Sequence, residues 1–255
     1  GMSPPAVDAA FDWQIFLLSI WGLGCSVLLM GGAISFALTL RRYRQHASPP
    51  DACLMAEIQC LAEALQLRRL PLVWVCPQAG SPAVTGFWRP VLILPPGFDE
   101  AFTAKERSLV LTHELMHLKR GDLPMNLLLC VLMALHWFNP LLWLAFYRAR
   151  IDRETACDDQ VLDQGPDEMR LHYGYALLKV GSAFNPRGLG IGFVGIFQRG
   201  AAMRTRVQAL LANRRTEWRT RGAVMILMLL MIPFGAMQGK SANRTGGGAQ
   251  VQVAL

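Results

Sequence analysis

No lysine or arginine occurs among the first 40 residues, and after Arg221 only Lys240 and Arg244 carry positive charge. Charge of either sign is scarce. It makes up 17% of the chain, against about 25% in ordinary soluble domains, while 53% of the residues are hydrophobic. A wholly water-exposed globule is therefore not expected. The net charge of +7 is confined almost entirely to the stretch between two apolar runs. That is the positive-inside pattern of a membrane protein, and it removes the need for a nucleic-acid partner. Cysteine is present without a pattern. Cys25, Cys53, Cys60, Cys76, Cys130 and Cys157 form no CxxC and no regular spacing. Reduced, packed thiols fit better than a disulfide framework or a cysteine-based metal cluster. No internal repeat is found, which argues against a solenoid.

Trp13 to Leu40 has no charged side chain. The run exceeds the ~20 residues needed to cross a bilayer, and it stops at Arg41-Arg42-Tyr43-Arg44. After Pro49-Pro50, Leu54, Ile58, Leu61 and Leu65 repeat at helical spacing over Ala52–Leu67. Leu72–Cys76 reads as a short strand. Ser81–Gly86 and Pro90–Pro95 read as a strand pair or one bent strand, which their prolines confine to a sheet edge or to strand ends. Thr103, with Glu106 three residues on, begins a helix by a capping box, and Gly121 ends it. His172–Val180 is expected to be helical, 181–200 to be a Gly-rich loop and 201–211 a short helix. A second apolar run, 223–238, lies behind a basic flank and is expected to be a second membrane helix, with a polar tail beyond it.

Histidine is rare, five in the chain, yet two of them stand in His113-Glu114-Leu115-Met116-His117. Residues four apart share one helix face, so both imidazoles can reach one ion. Glu114 projects about 100° around the axis, towards a metal-bound water rather than the metal. This is the HExxH pattern, with the carboxylate as general base of metal-assisted peptide hydrolysis.

A catalytic zinc needs a third protein ligand. The uncharged stretch Leu123–Tyr147 would, as one straight helix of ~37 Å, carry the chain away from His117. Asn139-Pro140 breaks it, so two antiparallel helices, 124–138 and 140–162, return the chain to its origin. Glu154 is then the best-placed third ligand. Asp158, one turn on, is placed to hold the outer N–H of a ligand histidine. His172, Tyr173 and Tyr175 are candidate oxyanion donors. His136, in the apolar hairpin, reads as a core or turn histidine.

Three blocks now stand in order: His113–Asp122, then His136-Trp137-Phe138-Asn139-Pro140, then Arg153-Glu154-Thr155-Ala156-Cys157-Asp158. With Gly86-Phe87-Trp88-Arg89-Pro90-Val91-Leu92-Ile93-Leu94-Pro95 upstream, the chain resembles the BlaR/MecR family of bacterial integral-membrane zinc metallopeptidases over roughly residues 13–240. The resemblance implies an α+β fold: a mostly helical, gluzincin-like zinc domain with a small edge-exposed β-sheet, flanked by transmembrane helices. It implies zinc held by His113, His117 and Glu154, Glu114 as general base, and Asp158 as a supporting acid. It also implies that Ala83, Val84, Thr85 and Gly86 form the edge strand that binds substrate backbone. The layout expected is an extracytoplasmic segment at 1–12, a membrane helix at 13–40, a cytoplasmic peptidase domain at 41–222, a membrane helix at 223–238 and a tail at 239–255. Expected partners are membrane lipid and a cytoplasmic protein substrate, such as a transcriptional repressor, at the bacterial cytoplasmic membrane. The penicillin-binding sensor domain of the β-lactam receptors is not expected in the short stretch after 238. Self-cleavage within 181–200 or at Arg214-Arg215 is a further expectation, and a housekeeping membrane protease of the HtpX type or a signalling scaffold with a vestigial site are the alternatives.

Overall fold

The computed structural model describes residues 12–163, 169–183 and Arg206. The expected second membrane helix at 223–238, the polar tail, most of the 181–200 loop and the 201–211 helix apart from Arg206 lie outside the described residues.

A single long helix, α1 (Trp13–Gln45), opens the described chain. The Asp12 carboxylate caps it by accepting from the backbone N–H groups of Gln14 and Ile15. The helix does not stop at the arginine cluster but continues through it, because Arg42 and Arg44 suit the negative end of the helix dipole. Its surface is almost wholly unburied, with Leu17, Leu18, Met30 and Ile34 all exposed. A helix apolar on all sides and unburied in its own fold is a helix made for lipid.

Next, α2 (Ala52–Ala64) is capped by Asp51 after the double proline. It buries Leu54 and Ile58, with Leu61 partly covered and Leu65 buried just beyond its end. The sheet has three strands, β1 (Leu72–Val75), β2 (Ala83–Thr85) and β3 (Val91–Leu94), in the order β1-β3-β2. β1 runs parallel to β3, with Leu72 opposite Val91, and β2 runs antiparallel to it, with Thr85 opposite Val91. Of the two readings of 81–95, the strand pair is the one found. Gly86, with φ +91°, turns the chain between β2 and β3, and a Cβ there would lie 2.5 Å from the carbonyl oxygen of Arg89. β3 is central and buried along its whole length, which is why it reads as an unbroken Val-Leu-Ile-Leu run. β2 is at the edge, as the flanking prolines require.

After a one-turn helix, α3 (Phe98–Ala101), comes α4 (Ala104–Arg120), whose capping box joins Thr103 and Glu106 reciprocally. α4 is the central helix. Leu111 faces the sheet together with Ile58, Leu92 and Phe98. Leu115, one turn further on, packs with Cys157, Val161, Tyr173 and Leu177. Gly121 (φ +71°) ends α4 in the left-handed conformation and directly starts α5 (Asp122–Leu135). Asn139 caps α6 (Pro140–Leu162), with the proline at its first turn. α5 and α6 thus form an antiparallel hairpin, and α7 (Met169–Ala183) closes over α4. The expected helix at 172–180 is three residues longer at each end, so 181–183 belong to α7 and not to the expected loop. The fold is α+β and mostly helical, with a small sheet and an N-terminal apolar helix.

Candidate metal centre

The helical spacing of α4 puts His113 and His117 side by side, their rings 4.8 Å apart and nearly perpendicular. The hairpin then returns Glu154 to the same place. Glu154 Oε2 lies 3.6 Å from His113 Nε2, and Oε1 lies 3.8 Å from His117 Nε2. Ligand atoms held ~2.0–2.1 Å from a tetrahedral zinc stand about 3.3 Å apart, so the three groups fit an ion after small side-chain adjustments.

What lies behind the imidazoles decides which nitrogens face the ion. His117 Nδ1 is 2.7 Å from Asp122 Oδ2, at the start of α5. On His113, Nδ1 is 2.8 Å from the Tyr173 hydroxyl and 3.1 Å from Asp158 Oδ1. Tyr173 donates to Asp158 at 2.6 Å and so accepts from the His113 ring. Both Nδ1 atoms are committed as donors to oxygen, leaving both Nε2 lone pairs directed at Glu154. Among the described residues, Cys157 also comes close enough to form a His113–His117–Cys157 ligand set. Its thiol, however, donates to the His113 carbonyl at 3.5 Å, whereas Glu154 faces the Nε2 atoms of both histidines.

The electrostatics match a cation site. Burial by itself would lower the His117 value, but the Asp122 carboxylate and Cys157 together outweigh it and push the imidazole up to about 10. Burial would raise Asp158, yet the Arg206 guanidinium beside it holds it down at about 2. Burial likewise works against the Glu154 anion, and the neighbouring His113 together with the positive charge of His117 and Arg206 keeps it well below the usual range. Glu114 differs. Burial raises it, and the neighbouring histidines offset only part of that rise. A carboxylate lifted in this way is a better proton acceptor than a surface one.

Of the three expected oxyanion donors, the structure brings only Tyr173 to the centre, and it stands on the Nδ1 side of His113, behind the ring. Tyr175 and His172 lie on the exposed face of α7. Two residues and one residue from Tyr173, they are about 200° and 100° around the helix from it. His136 sits at the hairpin turn, its Nδ1 3.1 Å from the Leu132 carbonyl, far from the centre.

The sequence reading missed Arg206. Its guanidinium grips Asp158 with two hydrogen bonds, Nε to Oδ2 at 2.8 Å and Nη2 to Oδ1 at 2.7 Å. Its Nη1 is 3.4 Å from Glu154 Oε2, and its Nη2 is 3.3 Å from His113 Nε2. No spacing rule marks Arg206 among its basic neighbours, because the contact is made 48 residues away from Asp158 and 93 from His113. Asp122 was likewise unassigned, although its place directly after Gly121 puts it within one turn of His117.

A paired-histidine helix with a carboxylate returned by a hairpin, beside an apolar membrane helix, defines a membrane-bound metallopeptidase. The family model described as BlaR1 peptidase M56 matches residues 4–210, and the chain belongs to that family. It is 31% identical over 177 residues to the "Regulatory protein BlaR1" of Bacillus licheniformis, covering 69% of this chain and 28% of that one. It is 33% identical over 99 residues to the "Methicillin resistance mecR1 protein" of Staphylococcus aureus, covering 39% of this chain and 17% of that protein. The mecR1 protein of Staphylococcus epidermidis matches to the same extent. The chain thus spans less than a third of the length of these curated relatives.

Proposed function

We propose that the chain is a zinc metalloendopeptidase that cleaves a cytoplasmic regulatory protein at the inner face of the bacterial membrane. The observation that carries this reading is the convergence of Glu154 on the Nε2 atoms of both histidines, at 3.6 and 3.8 Å. Zinc, when bound, lowers the pKa of a water towards ~7 and polarises the scissile carbonyl. His113, His117 and Glu154 hold the ion. Glu114 takes the proton of the attacking water and delivers it to the leaving amine. Asp158, Tyr173 and Arg206 fix the ring of His113, and Asp122 fixes that of His117. The substrate lies extended along β2, Ala83–Thr85, one of the two edge strands of the sheet, and it pairs there by strand addition. The positive cluster Arg41-Arg42-Tyr43-Arg44 supports a cytoplasmic placement of the domain. The regulatory reading leans on the printed name of the Bacillus relative.

Metal content of the full chain, purified in detergent, tests this directly. The expected result is about one zinc per chain in wild type and in Glu114→Gln, with loss or strong weakening in Glu154→Ala. Wild type that takes up no zinc when zinc is supplied overturns the reading.

A further inference from the structure

The hairpin of α5 and α6 has an unusual surface. Met125, Leu127 and Leu128, on the first two turns of α5, and Phe138, Leu141 and Leu144, at the far end of the hairpin, are all exposed, with fractional exposures of 47–60%. No charged residue lies between Asp122 and Arg148. This end does not project freely, because it is packed against α1. The Trp21 indole donates to the Leu135 carbonyl at 2.8 Å, and the Cys25 thiol approaches the same oxygen at 3.9 Å. The ring of Trp137 fills the space where a side chain of Gly24 would be, 2.5 Å from its ideal Cβ. One turn further along α1, Leu28 lines a small cavity together with Met133, Ala134 and Trp143.

These contacts set a depth. From Cys25 to Arg41, where the charge-free part of α1 ends, the helix rises about 24 Å. From Leu135 back to Asp122, at the base of the hairpin, α5 rises about 20 Å. The tip of the hairpin is therefore level with the interior of the α1 span, while its base, with Arg120, Arg150 and Arg153, is close to the level of the Arg41 cluster. Arg148 is the first charge on α6, and its long stem lets the guanidinium reach the headgroups.

The hydrogen bonds at the tip follow the same logic. A helix end facing water leaves its last carbonyls to the solvent, whereas in hydrocarbon each needs an internal partner. Leu135 O is taken by Trp21 and Cys25, Trp137 O by the Trp143 indole at 3.0 Å, His136 O by the Asn139 amide at 2.9 Å, and the Leu141 amide by Asn139 Oδ1 at 3.0 Å. The Trp137 indole nitrogen, enclosed against α1, is the exception.

We propose that the tip of the α5–α6 hairpin is immersed in the bilayer that α1 crosses, and that lipid acyl chains cover its exposed apolar face. The metal centre then sits at the membrane surface, at the foot of a re-entrant hairpin. The inference concerns the apolar end alone and holds whether or not zinc binds.

The test uses the wild-type full chain in phosphatidylcholine–phosphatidylglycerol liposomes that contain a lipid with a diazirine midway along its acyl chain. After irradiation, adducts are mapped by peptide mass. The expected result is labelling of 138–144 within about threefold of that on 15–38 of α1, with Leu171 and Tyr175 of α7 unlabelled although they are at least as exposed. Adducts confined to α1, with hairpin peptides recovered unmodified, overturn the proposal and assign that face to protein, such as a second copy of this chain. Labelling of α7 as strong as that of the hairpin also overturns it, since exposure alone would then explain the adducts.

Discussion

At the base of the α5–α6 hairpin, Asp122, Arg153, Glu154 and Asp158 are at least partly buried and each is paired. At the tip of the same two helices, about 20 Å away, Phe138 and Leu141 are 60% exposed and no charge is present. In a water-soluble domain the two ends would be exchanged. Charge is enclosed at the base because it can be compensated there: each carboxylate has a cation or donor in reach, and without one its desolvation would cost several kcal/mol. Apolar surface is left open at the tip because its surroundings carry no penalty for it. One pair of helices thus connects two solvents, and the environment of each turn explains its composition better than helix propensity does.

The comparison is sharpest where its polar end is broken. Glu114→Gln should retain metal and lower peptide hydrolysis by about 10²–10⁴-fold, the usual contribution of a general base. An unchanged rate would remove Glu114 from the chemistry. Arg206→Ala strands a buried Asp158, so metal affinity measured by competition with a chelator should fall about 10–100-fold, with partial recovery in Arg206→Lys. At the apolar end, Gly24→Val drives a side chain into the Trp137 ring. It should cost about 1–3 kcal/mol in detergent-solubilised protein, read as a lower unfolding temperature, while metal content stays unchanged. A loss of metal in that variant would mean that the two ends are not independent.

The smallest effect lies outside both ends, in the capping box of α4. Glu106 has its carboxyl lowered by hydrogen bonds from the Thr103 backbone and from Lys179. A carboxyl lowered in the folded state adds stability above its unfolded value, about 4, and loses it as the pH falls through the folded one. Glu106→Gln should therefore melt slightly earlier than wild type at pH 7, by about 0.5 kcal/mol, and the gap should close in acid. A gap that persists below pH ~3 would show that the box acts through packing rather than charge.

Much of this was legible in the sequence, for local reasons. The two histidines share a face because the helical repeat puts them there, and Asn139-Pro140 marks the reversal because proline cannot continue a helix. The strand segments on either side of Gly86 and the capping box likewise follow from patterns a few residues long, whereas the central place of β3 does not. What stayed hidden depends on distant contacts. Tyr173 was singled out, but which edge of the His113 ring it would meet is set by how α7 lies on α4. Arg206 reaches Asp158 and His113 across 48 and 93 residues, and no short pattern encodes such a meeting. The exposure of the hairpin tip was open for the same reason. An apolar helix reads alike whether protein or lipid covers it, and only the contacts of Trp21, Gly24 and Cys25 give its depth.

Gly121 ends α4 and is at the same time the residue from which α5 begins. No loop separates the helix that carries the two histidines from the hairpin, and Asp122, the first residue beyond the joint, holds the ring of His117 at 2.7 Å. The hairpin is therefore a lever with its short arm on an imidazole. Any change of its tilt at this glycine must move the carboxylate that sets the angle of the ring.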